Sequence, residues 1–310
     1  FTSPLIGNYG VEAERVVEDV SVVFESLQIQ VRAVIVAEYS EQYSHYAAQK
    51  SLSAWLEEQK IPGLTGVDTR ALTQKLREKG VMRGKIMVEG DEGGVIQSEV
   101  SYDDSFVDGS DSLLVEQVSV KEKRVYIRGA KRVVVVDCGV KHGILRQFLS
   151  CGVTVIRVPW DYDFLGEEYD GLFLSNGPGD PTECVKTIEH VRRALAQDKP
   201  IFGICLGSQL LALAAGARTY KLRYGHRGQN QPCVQAGTKR CLITSQNHGY
   251  AVDEKTLPED WEGWFTNAND GTNEGIRHKT KPFFAVQFHP EACPGPRDAL
   301  FLFDMFIDQL

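Results

Sequence analysis

One of the seven cysteines stands in a sequence that could make it a nucleophile. The residues GICLG at 203–207 end the apolar stretch 200–204 and come just before the apolar stretch 209–215, which predicts a strand, a tight turn and a helix. This is the cysteine form of the G-x-S-x-G nucleophile turn, in which small flanking residues let the backbone bend sharply and expose one side chain, here Cys205. The free N–H groups and the dipole of a helix that begins there favour a thiolate. The alternative is a buried cysteine between packing glycines, which the strand–turn–helix context disfavours.

A nucleophilic thiolate needs a base that is itself held in place. The apolar run FFAVQF at 283–288 predicts a strand that leads directly into His289-Pro290-Glu291. Two residues apart at a strand end, His289 and Glu291 can point the same way, so that the carboxylate orients the imidazole. The alternative for His289 is a packed or solvated histidine. A rival base is His248, which has no acidic neighbour in the sequence, and we expect a binding or structural role for the segment around it.

Two glycines follow another predicted strand, at residues 171–175, in the sequence NGPGDP. Gly177 and Gly179 let backbone N–H groups approach a ligand closely, which suits the stabilisation of an oxyanion. A plain turn is the alternative. A phosphate-binding loop is disfavoured, because the lysine of G-x-x-x-x-G-K-[ST] is missing.

The candidate site residues are positioned by alternating strands and helices, which begin near residue 132. The four valines of 133–136 predict a strand buried on both faces of a parallel sheet, and βαβ units continue to residue 215. Ligands of such sheets lie beyond the carboxyl ends of the strands. In the N-terminal part, the sequence pattern predicts a strand at 31–37, helices at 51–59 and 69–79, and a solvated connection at 89–112. We therefore expect a domain of residues 1–128 and a second of residues 129–310.

Length, net charge and cysteine pattern argue against several classes of protein. A chain of 310 residues suggests two domains, and the net charge of −8 argues against a nucleic-acid or acidic-membrane partner. The apolar stretch 210–217 is far shorter than the roughly 20 residues that cross a bilayer. We expect no signal peptide, because the first residues show neither a charged n-region nor a cleavage site. We expect no metal site, because the cysteines form no C-x-x-C pair and no cluster with zinc spacing, and we expect no cofactor. Free thiols in the cytoplasm are the resulting expectation.

Eight motifs are spread along the whole chain. They are PLIGNYG (4–10), GVDTR (66–70), LSNGPGDP (174–181), GICLGSQLLALAAGA (203–217), GQNQPC (228–233), SQNHGYAVD (245–253), TNANDGTNEGI (266–276) and QFHPEACPGP (287–296). In these motifs the chain resembles the class I (triad) glutamine amidotransferases, and within them the glutaminases of carbamoyl-phosphate synthetases, which the first two motifs single out because they lie outside the general glutaminase domain. TNANDGTNEGI and the stretch 220–233 are most similar to the N-terminal part of eukaryotic pyrimidine-pathway enzymes.

The resemblance implies a function and a set of site residues. It makes Cys205 the nucleophile, His289 the general base and acid, and Glu291 its orienting partner. The implied fold is α/β, a small N-terminal α/β domain followed by a three-layer glutaminase domain around an open, mostly parallel sheet. The implied contacts of the substrate L-glutamine are Gly177, Gly179, Leu206, Gln209, Asn247, Gly249 and Tyr250.

The implied partner is a synthetase, either a separate large subunit or a fused domain, because the chain has no Walker loop with which to bind ATP. Two departures from the family are visible. Ser208 stands where many relatives have histidine. The family's chain also extends upstream of the position of Phe1, where a serine contacts glutamine, so the resemblance puts one contact outside these 310 residues.

Overall fold

The computed structural model describes residues 1–82, 84, 86, 88–89, 95–96 and 113–310. Their contacts divide the chain into the units Phe1–Asp111 and Ser112–Leu310, so that residues 112–128 group with the second unit. The domain boundary predicted after residue 128 stays a proposal. The connection predicted at 89–112 lies almost entirely outside the described residues.

The first unit contains two capped helices and pairs of short strands. Helix α1 (Leu52–Glu58) is capped by Ser51, whose Oγ accepts from the Ala54 N–H. Helix α2 (Thr69–Lys79) is capped by Asp68 and ends at Gly80, which confirms the predicted helix and its end signals. Strands β1 and β6 pair in parallel, as do β5 and β8, while β2–β7, β3–β4 and β9–β10 are antiparallel, and the strand predicted at 31–37 is reduced to β5. The strands are β1 Leu5–Ile6, β2 Val11–Glu12, β3 Val16–Val17, β4 Val20–Ser21, β5 Val34–Ile35, β6 Glu38–Tyr39, β7 Ala48–Lys50, β8 Gly63–Leu64, β9 Val88–Glu89 and β10 Val95–Ile96.

The second unit is built on one sheet of ten strands. Its strands are β11 Arg124–Tyr126, β12 Arg132–Asp137, β13 Thr154–Pro159, β14 Gly171–Leu174, β15 Ile201–Ile204, β16 Arg218–Gln235, β17 Cys241–Asp253, β18 Trp261–Asn267, β19 Asn273–His278 and β20 Phe283–Val286. The spatial order is β11-β13-β12-β14-β15-β20-β19-β18-β16-β17, in which the central five, β13 to β20, are parallel. The helices are α3 Leu114–Val118, α4 His142–Ser150, α5 Val185–Ala194, α6 Leu206–Ala215 and α7 Phe301–Ile307.

Helices cover both faces of the parallel strands, which explains why the strands are apolar at successive positions. The four valines of β12 are at most 1% exposed. On one face, Phe202 of β15 packs against Phe303 and Phe306 of α7, with ring centroids 5.7 and 5.8 Å apart. On the other face, residues of α5 and α6 share a core with Leu172 of β14. Three layers around an open α/β sheet confirm the predicted fold class.

The antiparallel half of the sheet was not predicted. The long hairpin β16–β17, then β18 and β19, extend the sheet beyond β20. β19 pairs with β20, and an isolated bridge also links β17 to the segment after β20, where the His289 N–H donates to the Ser245 carbonyl at 2.9 Å. The hairpin thereby brings residues 246–250 toward the carboxyl ends of β15 and β20. No helix in the described parts of the chain combines the length and apolar composition that crossing a bilayer requires.

Candidate active site

Cys205 occupies a strained backbone turn between β15 and α6. Its φ and ψ are 54° and −106°, a region that costs a non-glycine residue about 1–3 kcal/mol. Its N–H donates to the Val286 carbonyl at 2.9 Å, and its carbonyl accepts from the Ser208 N–H at 3.1 Å. The turn is therefore tied both to the neighbouring strand and to the first turn of the helix.

The two flanking glycines are required by close packing. A Cβ on Gly207 would lie 2.1 Å from the carbonyl oxygen of Leu174, and one on Gly203 would lie 2.6 Å from the carbonyl oxygen of Gly207. Both separations are shorter than van der Waals contact allows. The small residues of the G-x-C-x-G sequence thus have the physical role that the sequence predicts for them.

His289 and Glu291 lie side by side just after β20. The Nδ1 of His289 is 2.7 Å from Oε1 of Glu291, and both residues are buried. Cys205 is the second group that raises the pKa of the imidazole, which places its sulfur beside the ring. The structure therefore brings the three predicted catalytic residues together, with the imidazole between the sulfur and the carboxylate.

A fourth residue, Lys141, joins this group and was missed by the sequence reasoning. Its Nζ donates to Oε1 of Glu291 at 3.0 Å and to the carbonyl of Ala292 at 2.6 Å. Lys141 lies 150 positions before Glu291, between β12 and α4, and only the carboxyl-end location in a parallel sheet could have indicated it.

The charges of these side chains support one another. Burial alone would lower the pKa of His289, but the charge of Glu291 and hydrogen bonds to Cys205 and Glu291 raise it to about 10. Burial alone would raise the pKa of Glu291, but the charges of His289 and Lys141 lower it to about 2. Each of the two groups thus favours the charged form of the other, an imidazolium beside a carboxylate.

The glycine turn after β14 is held in place by its neighbours. A Cβ on Gly177 would lie 2.2 Å from the carbonyl oxygen of Cys138, and Gly179 has a φ of +92°, which favours glycine. The Asn176 side chain accepts from the Lys141 N–H and donates to the Gly139 carbonyl, each at 3.0 Å. The loop before α4 therefore fixes the turn, and the same loop carries Lys141.

The other predicted glutamine contacts lie on α6 and the hairpin. Leu206 is the first residue of α6 and is buried. The Gln209 Nε2 donates to the Tyr250 carbonyl at 3.0 Å and to Gln287 Oε1 at 2.9 Å, so only its Oε1 could accept a bond from a ligand. Asn247 on β17 is exposed, and its carbonyl oxygen is 3.9 Å from the Cys205 sulfur. Gly249 and Tyr250 follow it and are half-buried. The structure thus ties Leu206, Gln209, Asn247 and Tyr250 to the surroundings of Cys205.

His248 has an acidic neighbour in space, although it has none in the sequence. Its Nε2 is 3.4 Å from Oε1 of Glu274, and its Nδ1 is 2.8 Å from the carbonyl oxygen of Tyr250. Both ring nitrogens therefore face groups of the protein interior. This arrangement supports the expected binding or structural role of the segment rather than that of a rival base.

Ser208, the predicted departure from the family, lies in the first turn of α6. Its side chain is buried, and its Oγ has no hydrogen-bond partner among the described residues. The serine therefore leaves a buried hydroxyl three positions after the nucleophile, without a hydrogen bond to His289.

Two protein families match the chain. Residues 134–309 match glutamine amidotransferase class-I, and residues 1–86 match carbamoyl-phosphate synthase small chain, CPSase domain. A solved structure from Thermoplasma acidophilum, described as a GMP synthase protein, has a TM-score of 0.51 and 29% identity, covering 58% of this chain and 94% of its own.

Relatives of known description cover the chain from end to end. The carbamoyl phosphate synthase arginine-specific small chain of Aspergillus niger is 49% identical over 317 residues, covering 100% of this chain and 68% of that protein. The multifunctional protein ura1 of Schizosaccharomyces pombe is 47% identical over 333 residues, covering 99% of this chain, which spans 15% of that protein's length. With the two family matches, these relatives show that the chain belongs to the class-I glutamine amidotransferases and, within them, to the carbamoyl-phosphate synthase small chains.

Proposed function

We propose that this chain hydrolyses L-glutamine to glutamate and ammonia, with Cys205 as nucleophile, and delivers the ammonia to a synthetase that makes carbamoyl phosphate. The single observation that carries the proposal is the buried pair of His289 and Glu291, 2.7 Å apart, beside Cys205 on its strained turn. A thiol, a base and an orienting acid in this order are what nucleophilic acyl transfer requires.

The first half of the reaction forms a thioester. The thiolate of Cys205 attacks the side-chain amide carbon of glutamine, and the carbonyl electrons move onto oxygen. Backbone N–H groups of Leu206 and of the turn at Gly177 and Gly179 stabilise this oxyanion. The imidazolium of His289 then protonates the amide nitrogen, and the carbon–nitrogen bond breaks as the carbonyl re-forms. Ammonia departs, and a glutamyl thioester remains on Cys205.

The second half needs His289 to act as a base. The negative charge of the sulfur is among the causes that raise the pKa of His289, and the thioester no longer carries that charge. Thioester formation therefore lowers the pKa of the ring and favours the neutral imidazole. This imidazole removes a proton from water, hydroxide attacks the thioester carbon, and glutamate leaves with the thiolate of Cys205 restored.

Ammonia that escaped into water would be protonated and would lose its nucleophilicity, so direct transfer to a synthetase suits the chemistry. The names of the two relatives support both forms of partner, a separate chain and a fused domain. The proposed reaction requires neither a metal nor an organic cofactor. The predicted cytoplasmic location stays a prediction.

The test uses a glutamine analogue that alkylates the nucleophile of glutaminases, followed by mass analysis of the peptides. We expect one adduct, on Cys205, and ammonia release from glutamine that rises when a carbamoyl-phosphate synthase large chain is added. Cys205→Ala should abolish both signals, whereas substitution of the exposed Cys241 should leave both unchanged. The rival function is a non-catalytic regulatory or interaction module of the same fold. It would be favoured if wild type and Cys205→Ala behaved alike in both measurements.

A further inference from the structure

A second cluster of ionisable side chains is buried within the antiparallel half of the sheet. His226 of β16 and His248 of β17 are paired across the hairpin, and Glu274 lies on β19. Glu274 Oε1 is 3.0 Å from His226 Nδ1 and 3.4 Å from His248 Nε2. All three residues are buried, and the nearest ligand-type atoms of the three lie within 4.8 Å of one another.

Each histidine has its other ring nitrogen against an acceptor. His226 Nε2 is 2.7 Å from Oδ2 of Asp270, and His248 Nδ1 is 2.8 Å from the carbonyl oxygen of Tyr250. These contacts place a proton on the outer nitrogen of each ring, so that in the neutral imidazole the inner nitrogen carries a lone pair. A carboxylate or a backbone carbonyl behind the ring is the usual outer partner of a histidine that ligates a metal.

The inner side of the cluster holds several oxygen acceptors and one amide donor, Asn267 Nδ2, which lies 3.4 Å from His226 Nδ1 and 3.5 Å from Gln246 Oε1. Glu274 is fully buried, and its Oε2 has no hydrogen-bond partner among the described residues. The His248 Nε2 faces two oxygens, Oε1 of Glu274 at 3.4 Å and Oε1 of Gln246 at 3.3 Å. Lone pairs that converge in a buried space favour a cation between them, because a buried carboxylate oxygen without a partner is costly.

We propose that His226 Nδ1, His248 Nε2 and the Glu274 carboxylate bind one divalent transition-metal ion of the zinc type. Gln246 Oε1 or a water molecule would complete a tetrahedron. Zinc–ligand bonds of about 2.1 Å at tetrahedral angles separate neighbouring ligand atoms by roughly 3.4 Å, close to the two separations from the carboxylate oxygen. Two imidazoles and one carboxylate favour such an ion over Mg²⁺ or Ca²⁺, which prefer oxygen ligands.

A proton is the competing occupant. Burial alone would lower the pKa of His226, but hydrogen bonds to Glu274 and Asp270 and their charges raise it to about 9. A metal ion must therefore displace a proton from Nδ1 of His226. The site shares with the proposed glutamine contacts the segment of β17 in which His248 stands between Asn247 and Gly249. Metal binding by this cluster is nevertheless independent of glutamine hydrolysis.

The experiment is a Co²⁺ titration of the full chain carrying Cys205→Ala. This background removes the sulfur next to His289, which could itself bind a soft metal. We expect one equivalent of Co²⁺ with visible d–d absorption bands and without the ultraviolet band of a cobalt–thiolate bond. Glu274→Gln and His226→Asn should abolish the bands. His278→Asn is the matched control, since His278 is similarly buried and bonded to a carboxylate, Asp260, but lies outside the cluster, and it should bind as the background does.

A background protein that takes up no Co²⁺ saturably would overturn the proposal and leave the proton as the sole cation of the cluster. Binding that survives both Glu274→Gln and His226→Asn would overturn it as well. If these variants fail to fold, the position of the ion is measured instead, by anomalous scattering from crystals of the background protein grown with Zn²⁺. We expect the ion about 2.1 Å from both His226 Nδ1 and His248 Nε2, and an ion elsewhere would contradict the assignment.

Discussion

Replacement of Glu291 by glutamine isolates the charge of the carboxylate from its geometry. In the structure, His289 Nδ1 and Lys141 Nζ both contact the same oxygen, Oε1 of Glu291, at 2.7 and 3.0 Å. A glutamine side chain in the same position can accept both bonds through its own Oε1. The substitution therefore removes the negative charge while the ring keeps its orientation.

The expected loss follows from the value of that charge. A hydrogen bond to a charged group contributes about 1.5–3 kcal/mol, roughly twice a neutral one. If this difference of about 1–1.5 kcal/mol stabilises the imidazolium that protonates the leaving nitrogen, kcat should fall about 5- to 12-fold, at about 1.4 kcal/mol for each factor of ten. Loss of the ring itself in His289→Asn removes the proton donor as well, and we expect a larger fall.

The assay is the steady-state release of glutamate as a function of pH, with the rate of alkylation of Cys205 as a second readout. Glu291→Gln should also lower the pKa of His289, so the alkaline limb of the rate profile should move to lower pH. Equal losses in Glu291→Gln and His289→Asn would contradict an orienting and charge-stabilising role for Glu291. An unchanged pH profile would contradict it independently.

Three further outcomes follow from the same geometry. Lys141→Met should lower kcat/KM about 3- to 10-fold in the glutamate assay, because it removes one hydrogen bond to Glu291, and no loss would contradict its role. Gly207→Ala should lower the free energy of unfolding in urea by about 1–3 kcal/mol, because of the close carbonyl contact, whereas Gly166→Ala, with nothing within 4 Å, should change it by less than about 0.5 kcal/mol. The pKa of His289 is raised from 6.5 to about 10, so its pairing stabilises the fold fully below pH 6.5 and this contribution is lost as the pH rises through 10. The pKa of Glu291 is lowered from 4.5 to about 2, so its contribution to stability is lost only as the pH falls below 4.5. The difference in unfolding free energy between wild type and Glu291→Gln should therefore be largest between pH 4.5 and pH 6.5, where both contributions are complete. A difference that does not change between pH 6 and pH 10 would contradict this reasoning.

Local signals were sufficient for the catalytic side of the site. The strand before Cys205 and the strand before His289 are short, apolar and bounded by clear turns, and the structure pairs them as neighbours with Ile204 opposite Val286. The predicted helix after Cys205 begins earlier than expected, at Leu206 instead of Gln209. Glycine and serine are weak helix formers, but the carbonyl of Cys205 accepts bonds from both the Ser208 and Gln209 N–H groups and so starts the helix.

Long-range and irregular features were beyond local reasoning. The hairpin β16–β17 has mostly exposed or half-buried residues on β16 and register shifts after Lys221 and Gly228, which disrupt the period of two that identifies a strand. The contact of Glu274 with His248 depends on that hairpin lying across the sheet from β19. It could not be inferred while the hairpin itself was unrecognised.

The parallel and antiparallel halves of the sheet contribute different residues to the site. The parallel strands β15 and β20 are buried at every position, so the nucleophile and the base follow directly on two strands of the packed core. The hairpin that carries Asn247 and Tyr250 has water on one side and is joined to the end of β20 by the bridge between Ser245 and His289. The buried carboxylate of Glu274 joins this hairpin to β19 through its contacts with His226 and His248. Because loss of one partner leaves the others buried and unmatched, Glu274→Gln should disturb the hairpin, and in the glutamate assay it should raise KM for glutamine more than it lowers kcat. A fall in kcat without a change in KM would contradict this division.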